Sequence, residues 1–370
     1  MRDRKATGGG GSDLAFCLKR TKQDFSPHTC LISAVTASVK WQKESRLPLI
    51  YYRSKEYKNN HTHINTDGIE SIRCRKLDLY RSMITVGNPS FISKKQIRSF
   101  GLARAIHSSI IEKIGTVWEN IQSDGEVLRI HPIYHSHVSD KKRIVSYNLG
   151  MAFAKFYAEK LLDIPNLTHV ESLKILGAID FNEPVEGRGR EPDLVGMCSN
   201  GDWHVFEAKG MSANKLNPQI ISAKEQVERV ASIHGTPPET LNACATYFND
   251  NRILTYLEDP VSKSDKVIRL LKDKFVDSTY KPIFLISEAI DKRFELRRED
   301  GFNYYSVDLE IKGLHLRVGL DEEVHDLVRQ KEFSAVSKIS FEKLNIISKQ
   351  MAQENYSVGM DGIVVKYRNH

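Results

Sequence analysis

The sequence predicts a mixed α/β (α+β) fold in which helices flank a central mixed sheet. Segment Trp203–Lys209 alternates two sets of side chains, which is the period of a strand. Upstream, Asn148–Leu162 is apolar on most sides, as expected for a helix packed against a sheet. Downstream, Asn217 and Pro218 indicate the N-cap and first position of a helix that extends to Gly235. Helices on both sides of strands favour this fold class.

A predicted strand pair brings acidic and basic side chains together. Glu207 and Lys209 are two residues apart, so a strand places them on one face, about 6 to 7 Å apart along it. The residues Pro192–Val195 indicate a shorter strand, and Asn200–Gly201 is a hairpin signal between the two strands. Pairing these strands brings Asp193 beside Glu207.

These three side chains suit the hydrolysis of a phosphate ester. Two converging carboxylates form a hard-oxygen site for Mg²⁺ or Mn²⁺, and Mg²⁺ keeps its other ligands for water and phosphate oxygens. Lys209 could orient or help to deprotonate the attacking water, and it could offset charge that develops on the phosphate. The pattern therefore predicts one or two metal ions at Asp193 and Glu207.

The same residues resemble a known motif. Pro192 and Asp193, thirteen intervening residues and then Glu207-Ala208-Lys209 are similar to the bipartite motif of the PD-(D/E)xK nuclease superfamily. The resemblance covers about 90 residues and implies a restriction-endonuclease-like core in the order helix, strand, hairpin, strand, helix. It also implies that Asp193 and Glu207 bind metal, that Ala208 offers its backbone carbonyl to the metal, and that Lys209 is the catalytic lysine.

The resemblance implies further site residues on the flanking helices. Glu159 would be an additional acidic metal ligand, although an i, i+4 pair with Lys155 is the alternative. Lys224 and Gln226 would lie near the active site on the downstream helix, and a solvated helix face is the alternative. Arg188 and Arg190, just before Pro192, could bind a substrate phosphate, or they could be solvated in a surface loop.

Basic residues are concentrated in the N-terminal part of the chain. Residues 1–100 carry nineteen Lys and Arg against eight Asp and Glu, whereas residues 101–370 carry 35 against 39. Segment Lys40–Tyr57 mixes these cations with Trp and Tyr, which suits a nucleic-acid surface. A solvated basic surface with core aromatics is the alternative. The predicted organisation is a flexible tail (1–12), a basic N-terminal domain (13–140), a nuclease-like core (141–290) and a C-terminal α+β extension (291–370).

Several other classes of protein are not expected. No apolar run approaches the length of a membrane span, and the N-terminal residues do not resemble a secretory signal. Five scattered cysteines without C-x-x-C spacing indicate reduced thiols in the cytoplasm and neither a zinc knuckle nor an iron–sulfur cluster. Phosphate-loop, dinucleotide-binding, nucleophile-elbow and H-E-x-x-H motifs are absent from the sequence. The pairs His135/His137 and His61/His63 could bind a metal, with polar histidines in loops as the alternative.

The remaining segments are assigned from periodicity and turn residues. Predicted strands are 127–137, 170–179, 282–287, 302–311, 314–320 and 362–367; predicted helices are 93–120, 263–275, 322–330 and 340–353; segment 239–257 is predicted as helical or mixed.

The function expected from these observations is a metal-dependent nuclease that cuts DNA, with a restriction-type or phage-defence role by analogy. A homodimer or a protein partner in a defence complex fits this expectation. One alternative is an inactive nuclease-fold module that binds nucleic acid or a protein. Another is an interaction scaffold in which the motif is a coincidence.

Overall fold

The structure is a computed structural model. It describes residues 47–57, 64, 67–86, 102–181, 191–212, 216–249, 252–263, 266–311, 313–336, 338–339, 343–344, 346–348 and 355–368.

The strands, in chain order, have the following bounds. They are β1 Leu49–Lys55, β2 Gly68–Arg73, β3 Ile121–Ser123, β4 Leu128–Ile130, β5 Asn166–His169, β6 Ile179–Phe181, β7 Leu194–Met197, β8 Trp203–Met211, β9 Ser232–Ile233, β10 Thr240–Asn249, β11 Arg252–Glu258, β12 Val267–Leu270, β13 Glu295–Glu299, β14 Phe302–Ile311, β15 Leu314–Asp321, β16 Tyr356–Val358 and β17 Ile363–Tyr367.

The helices are α1 Lys76–Val86, α2 Leu102–Asn120, α3 Ile133–Ser136, α4 Ser139–Leu162, α5 Val170–Ile175, α6 Leu216–Val227, α7 Lys272–Ala289, α8 Glu322–Gln330 and α9 Phe333–Val336. Within the described part of the chain, none of them is long and apolar enough to cross a membrane.

The fold is mixed α/β with a central mixed sheet, as predicted. Seven strands form this sheet in the order β2-β1-β11-β10-β8-β7-β5. Strands β5, β7 and β8 are antiparallel neighbours, and β8 then pairs in parallel with β10. Parallel neighbours need a crossover connection, and α6 lies on that connection. The resulting chain order around β8 is α4, β5, β7, β8, α6 and β10.

Helix α4 packs closely against β8 because two glycines meet there. A Cβ on Gly150 would lie 2.7 Å from the backbone nitrogen of Gly210. A Cβ on Gly210 would lie only 1.7 Å from the carbonyl oxygen of Ser146. A side chain at Gly210 would therefore separate α4 from the strand that carries Glu207 and Lys209.

A second sheet, β13-β14-β15-β17-β16, lies in the C-terminal part. A buried ionic cluster joins it to α1 and α4. Arg81 donates to both Glu159 carboxylate oxygens at 2.6 and 2.8 Å. Lys155 pairs with Asp361, next to β17, at 3.0 Å. Each of these four side chains is at most 1% exposed, so the charges compensate one another rather than being solvated. Residues Ser45–His370 form one compact unit.

Several segment predictions are confirmed. The hairpin β14–β15 matches 302–311 and 314–320, α8 spans 322–330, and β17 matches the last predicted strand. Helix α8 begins there because the Asp321 carboxylate accepts hydrogen bonds from the backbone N–H groups of Glu323 and Val324. Segment 93–120 is helical from residue 102, and its first part lies outside the described residues; of 340–353, residues 343–344 and 346–348 are described and are helical.

Other segment predictions are wrong. Segment 170–179 begins with α5, because the ring of His169 caps this helix by accepting a hydrogen bond from the N–H of Glu171. Segment 239–257 forms the central strands β10 and β11, and burial on both faces removes the alternating pattern from β10. Segment 282–287 belongs to α7, in which Val276, Tyr280 and Ile283 are buried at helical spacing.

Three predicted boundaries also differ from the structure. Strand β12 replaces the first part of the predicted helix 263–275. Strand β4 ends at Ile130, before a helical turn over Ile133–Ser136, in place of a strand to residue 137. Helix α6 ends at Val227, short of Gly235.

The N-terminal aromatics are mostly internal where the structure describes them. Tyr52 is buried and donates a hydrogen bond to Glu70 at 2.5 Å. Tyr57 donates to Asn242 at 2.8 Å, whereas Tyr51 is exposed. Core aromatics, the alternative to base stacking, therefore account for Tyr52 and Tyr57. Trp41 lies outside the described residues.

Candidate active site

The predicted acidic and basic side chains meet in a cavity of about 730 Å³. The cavity lies where the ends of β7 and β8 meet α4, α5 and α6. Asp193, Glu207, Ala208 and Lys209 all line it. Strand pairing explains the convergence, because the register places Leu194 opposite Phe206, one residue from Asp193 and Glu207.

Asp193 and Glu207 are held together by reciprocal hydrogen bonds. The backbone N–H of Asp193 donates to Glu207 Oε2 at 3.1 Å. The backbone N–H of Ala208 donates to Asp193 Oδ2, also at 3.1 Å. The carbonyl of Asp193 accepts from Val170 at the start of α5, at 2.9 Å. The backbone pairing of β7 with β8 ends at Leu194. The Asp193 side chain therefore continues the contact between the two segments.

Lys209 forms an ion pair with Glu207. The Lys209 side chain is 17% exposed, whereas the Glu207 side chain is 1% exposed. The ammonium group is therefore accessible from the cavity while the carboxylate is held below it. This arrangement allows Lys209 to contact both Glu207 and a bound anion.

The environment of Glu207 disfavours its negative charge. Burial and then the neighbouring charge of Asp193 raise the pKa of Glu207, and the Lys209 ammonium opposes them, so that the pKa is about 8. Two adjacent carboxylates in a poorly solvated place repel each other. A divalent cation between them would relieve this repulsion, so the donor set fits the predicted Mg²⁺ or Mn²⁺.

Proteins commonly bind Mg²⁺ through one or two carboxylates. In the parts of the chain that the structure describes, no group of three or more His, Cys, Asp or Glu side chains could hold a metal ion. Asp193 and Glu207 stay the predicted acidic ligands, and the Ala208 carbonyl stays a predicted ligand.

No protein-family model matches this chain. No curated protein and no solved structure matches it either. The interpretation of the cavity therefore depends on its own geometry and chemistry.

Glu159 is not brought to this cavity. Its carboxylate lies in the buried ionic cluster with Arg81, and the guanidinium holds the pKa of Glu159 at about 2 despite burial. The predicted alternative, an i, i+4 pair with Lys155, is present at 3.6 Å. The role of Glu159 as a metal ligand is corrected, because its partners are set by α1, which lies far away in the sequence.

Of the two candidate residues on α6, Gln226 faces the cavity and Lys224 does not. Gln226 lines the cavity and donates a hydrogen bond to the carbonyl of Ser222 at 3.1 Å. Lys224 forms ion pairs with Glu56 and Glu258, at 3.2 and 3.0 Å, outside the cavity lining. Residues two apart on a helix point in different directions, which explains the separation.

Of the remaining candidates, those that the structure describes do not line the cavity. Arg188 and Arg190 fall outside the described residues, as do His61 and His63. His137 forms a hydrogen bond with Asn120 at 2.9 Å, and neither it nor His135 lines the cavity. The described cysteines, Cys74, Cys198 and Cys244, are free thiols, which agrees with the expectation of reduced thiols.

Several residues of the cavity wall were not predicted from the sequence. They are Arg143, Ser146, Tyr147, His169, Glu171, Glu191 and Gln219. Gln219 could have been predicted from the sequence, because it lies seven residues before Gln226 on the same helical face. Tyr147 and His169 belong to different elements, and only the tertiary contact between α4 and β5 brings them together.

Proposed function

We propose that this protein is a metal-dependent nuclease that hydrolyses phosphodiester bonds in DNA. The convergence of Asp193, Glu207 and Lys209 in one open cavity carries the proposal. Two carboxylates suit a divalent cation, and the adjacent ammonium suits an anionic substrate. A protein that used the hairpin only as a scaffold would not need all three groups.

The order of elements around the cavity supports the same proposal. Helix α4, strand β5, the hairpin β7–β8, helix α6 and strand β10 occur in this order along the chain, with α5 and β6 between β5 and β7 and with β9 between α6 and β10. A strand and a hairpin between two helices support the proposed restriction-endonuclease-like core, and β10 would add a further strand to it. These elements lie between Ser139 and Asn249, and the nuclease-like core stays proposed as residues 141–290.

The residues of the chain have distinct proposed roles. Asp193 and Glu207 would hold Mg²⁺ or Mn²⁺, which supplies positive charge to the phosphate and makes a nearby water more acidic. Lys209 orients the attacking water and offsets the charge that develops on the phosphate. Gln226 lines the same cavity and supplies an amide group that could contact the substrate.

The choice of DNA follows from the resemblance, since that superfamily acts mostly on DNA. A restriction-type or phage-defence role, a cytoplasmic location and a homodimeric or partner-bound state belong to the same proposal. An inactive module that binds nucleic acid without cutting it is the competing function, and the experiment below separates the two.

The test compares cleavage of single- and double-stranded DNA and RNA by the parent protein, by Lys209→Met and by Lys263→Met. Lys263 is a matched control because it forms a surface ion pair with Glu228 far from the motif in sequence and outside the cavity lining. Cleavage of DNA should require Mg²⁺ or Mn²⁺ and should fall at least about 100-fold in Lys209→Met. Lys263→Met should cut like the parent.

Three outcomes would contradict the proposal. Cleavage that persists in a chelator would contradict the role of the metal ion. Cleavage by Lys209→Met at the parent rate would contradict the role of Lys209. Tight nucleic-acid binding without any cleavage by the parent would establish the binding module instead. Circular dichroism of each variant confirms that the comparison is made between folded proteins.

A further inference from the structure

Tyr147 and His169 form a hydrogen-bonded pair in the wall of the candidate active site. Tyr147 lies on α4, His169 ends β5, and both line the cavity that contains Asp193 and Glu207. The Tyr147 hydroxyl and His169 Nε2 are 2.9 Å apart. Neither residue belongs to the motif or to the roles proposed above.

The backbone determines which nitrogen of His169 carries the proton. The N–H of Glu171 donates to His169 Nδ1 at 3.1 Å, as part of the cap of α5. A nitrogen that accepts a hydrogen bond has no proton of its own, so the neutral ring carries its proton on Nε2. Burial, and then the charge of Lys113, hold the pKa of His169 at about 4, which agrees with a neutral ring.

This tautomer leaves the Tyr147 proton available. His169 Nε2–H donates to the Tyr147 oxygen, so the phenolic O–H is not used in that hydrogen bond. Burial, followed by the charges of Asp193 and Glu207, raises the pKa of Tyr147 well above its usual value. The phenol therefore stays protonated at neutral pH and acts as a hydrogen-bond donor.

The position of Tyr147 is set by the packing of α4 on β8. Ser146, its neighbour, lies so close to Gly210 that no side chain fits between them. Gly210 follows Lys209 directly in β8. Tyr147 is 36% exposed and lines the cavity, so it can contact a molecule there.

We propose that Tyr147 is a substrate-binding residue whose hydroxyl donates to a nonbridging phosphate oxygen, and that His169 is the residue that positions it. This inference rests on the proposed nuclease function and assigns it a neutral donor for the phosphate. The donor would supplement the positive charges of Lys209 and of the cation that Asp193 and Glu207 would hold. A hydrogen bond to an oxygen that gains charge in the transition state strengthens as the reaction proceeds.

The first experiment removes one hydroxyl. Tyr147→Phe keeps the ring, and Tyr157→Phe makes the same change on the same helix at a buried position outside the cavity lining. With Mg²⁺ and DNA, the single-turnover rate should fall about 10- to 100-fold in Tyr147→Phe and stay within about twofold of the parent in Tyr157→Phe. The melting temperature of Tyr147→Phe should match that of the parent. An unchanged rate would overturn the inference.

The second experiment separates the two hydrogen bonds of His169. In His169→Asn, the amide oxygen can replace Nδ1 as the cap of α5, but no donor reaches Tyr147. In His169→Gln, the amide nitrogen can replace Nε2 as the donor, but the cap is lost. The Asn variant should show the slower cleavage of Tyr147→Phe with parent-like stability, whereas the Gln variant should retain faster cleavage with lower stability. The reverse ranking of rates would show that His169 acts only through the helix cap.

A third measurement distinguishes failure of this inference from failure of the nuclease function. Binding of inorganic phosphate in the presence of Mg²⁺, followed by ³¹P NMR, does not require cleavage. Phosphate affinity should fall at least about threefold in Tyr147→Phe and remain at the parent value in Tyr157→Phe. Equal affinity in parent and Tyr147→Phe would refute the role of Tyr147 even in an active nuclease. If the parent does not cleave DNA but Tyr147→Phe binds phosphate more weakly than the parent, the role of Tyr147 is retained and the nuclease function is rejected.

Discussion

The burial of Glu207 beside the charge of Asp193 predicts that Glu207→Gln changes how the stability of the protein depends on pH. In the folded protein the pKa of Glu207 is raised from 4.5 to about 8. The folded state therefore binds a proton more tightly than the unfolded chain over this range. Stability is then lost as pH rises from about 4.5 to about 8, where the buried carboxylate becomes charged.

The size of the effect follows from the same values. A difference between 4.5 and about 8 corresponds to an upper limit of about 5 kcal/mol in the free energy of unfolding. Gln at this position is neutral at every pH and can still accept the hydrogen bond from the N–H of Asp193. Glu207→Gln should therefore be several kcal/mol more stable than the parent at pH 9 and similar to it at pH 4.5, without metal.

Urea unfolding followed by tryptophan fluorescence, at intervals from pH 4.5 to 9 in a chelator, measures this difference. Glu225→Gln is the matched control, since Glu225 is exposed on α6. At a hundredfold excess over its dissociation constant, Mg²⁺ should raise the free energy of unfolding of the parent at high pH by about 3 kcal/mol. It should stabilise Glu207→Gln much less. A free-energy difference between parent and Glu207→Gln that does not change with pH would refute the argument.

Two further predictions concern the framework of the site. Glu159→Gln should lower the free energy of unfolding by about 3 to 5 kcal/mol, because it leaves the buried Arg81 without its bidentate partner. Its cleavage rate per folded molecule should equal that of the parent, and a specific loss of metal-dependent activity would restore Glu159 as a ligand. Gly210→Ala should cost more than about 3 kcal/mol in urea unfolding, because the new Cβ would lie 1.7 Å from the Ser146 oxygen. Gly115→Ala has open space and should be neutral or stabilising by up to about 1 kcal/mol, so equal effects of the two substitutions would contradict the packing argument.

The sequence predicted the central hairpin well because the signals there are local. The two-residue period of β8 places Glu207 and Lys209 on one face, and a turn at Asn200–Gly201 sets which residues oppose each other. A slip of one residue would reverse every side chain in the strand, so the register is strongly specified. The structure has this register, with Asp193 at the end of β7 next to Glu207.

Local patterns failed where burial or a distant partner decides the structure. Strand β10 lies inside the sheet, and burial on both of its faces removes the alternation. Segment 282–287 reads as a strand in isolation, yet its apolar residues continue the helical spacing of α7. These elements are distinguished by what packs against them, and six-residue patterns do not contain that information.

The sequence by itself determined the chemistry that could occur at the hairpin, because Asp193, Glu207 and Lys209 are placed by strand period and turn alone. Tertiary structure decided which outlying residues join them. Glu159 turns to Arg81, 78 positions earlier in the chain, while Tyr147 meets His169 across two elements. A periodic pattern specifies the face on which a side chain lies, whereas its partner depends on how distant elements pack around the core.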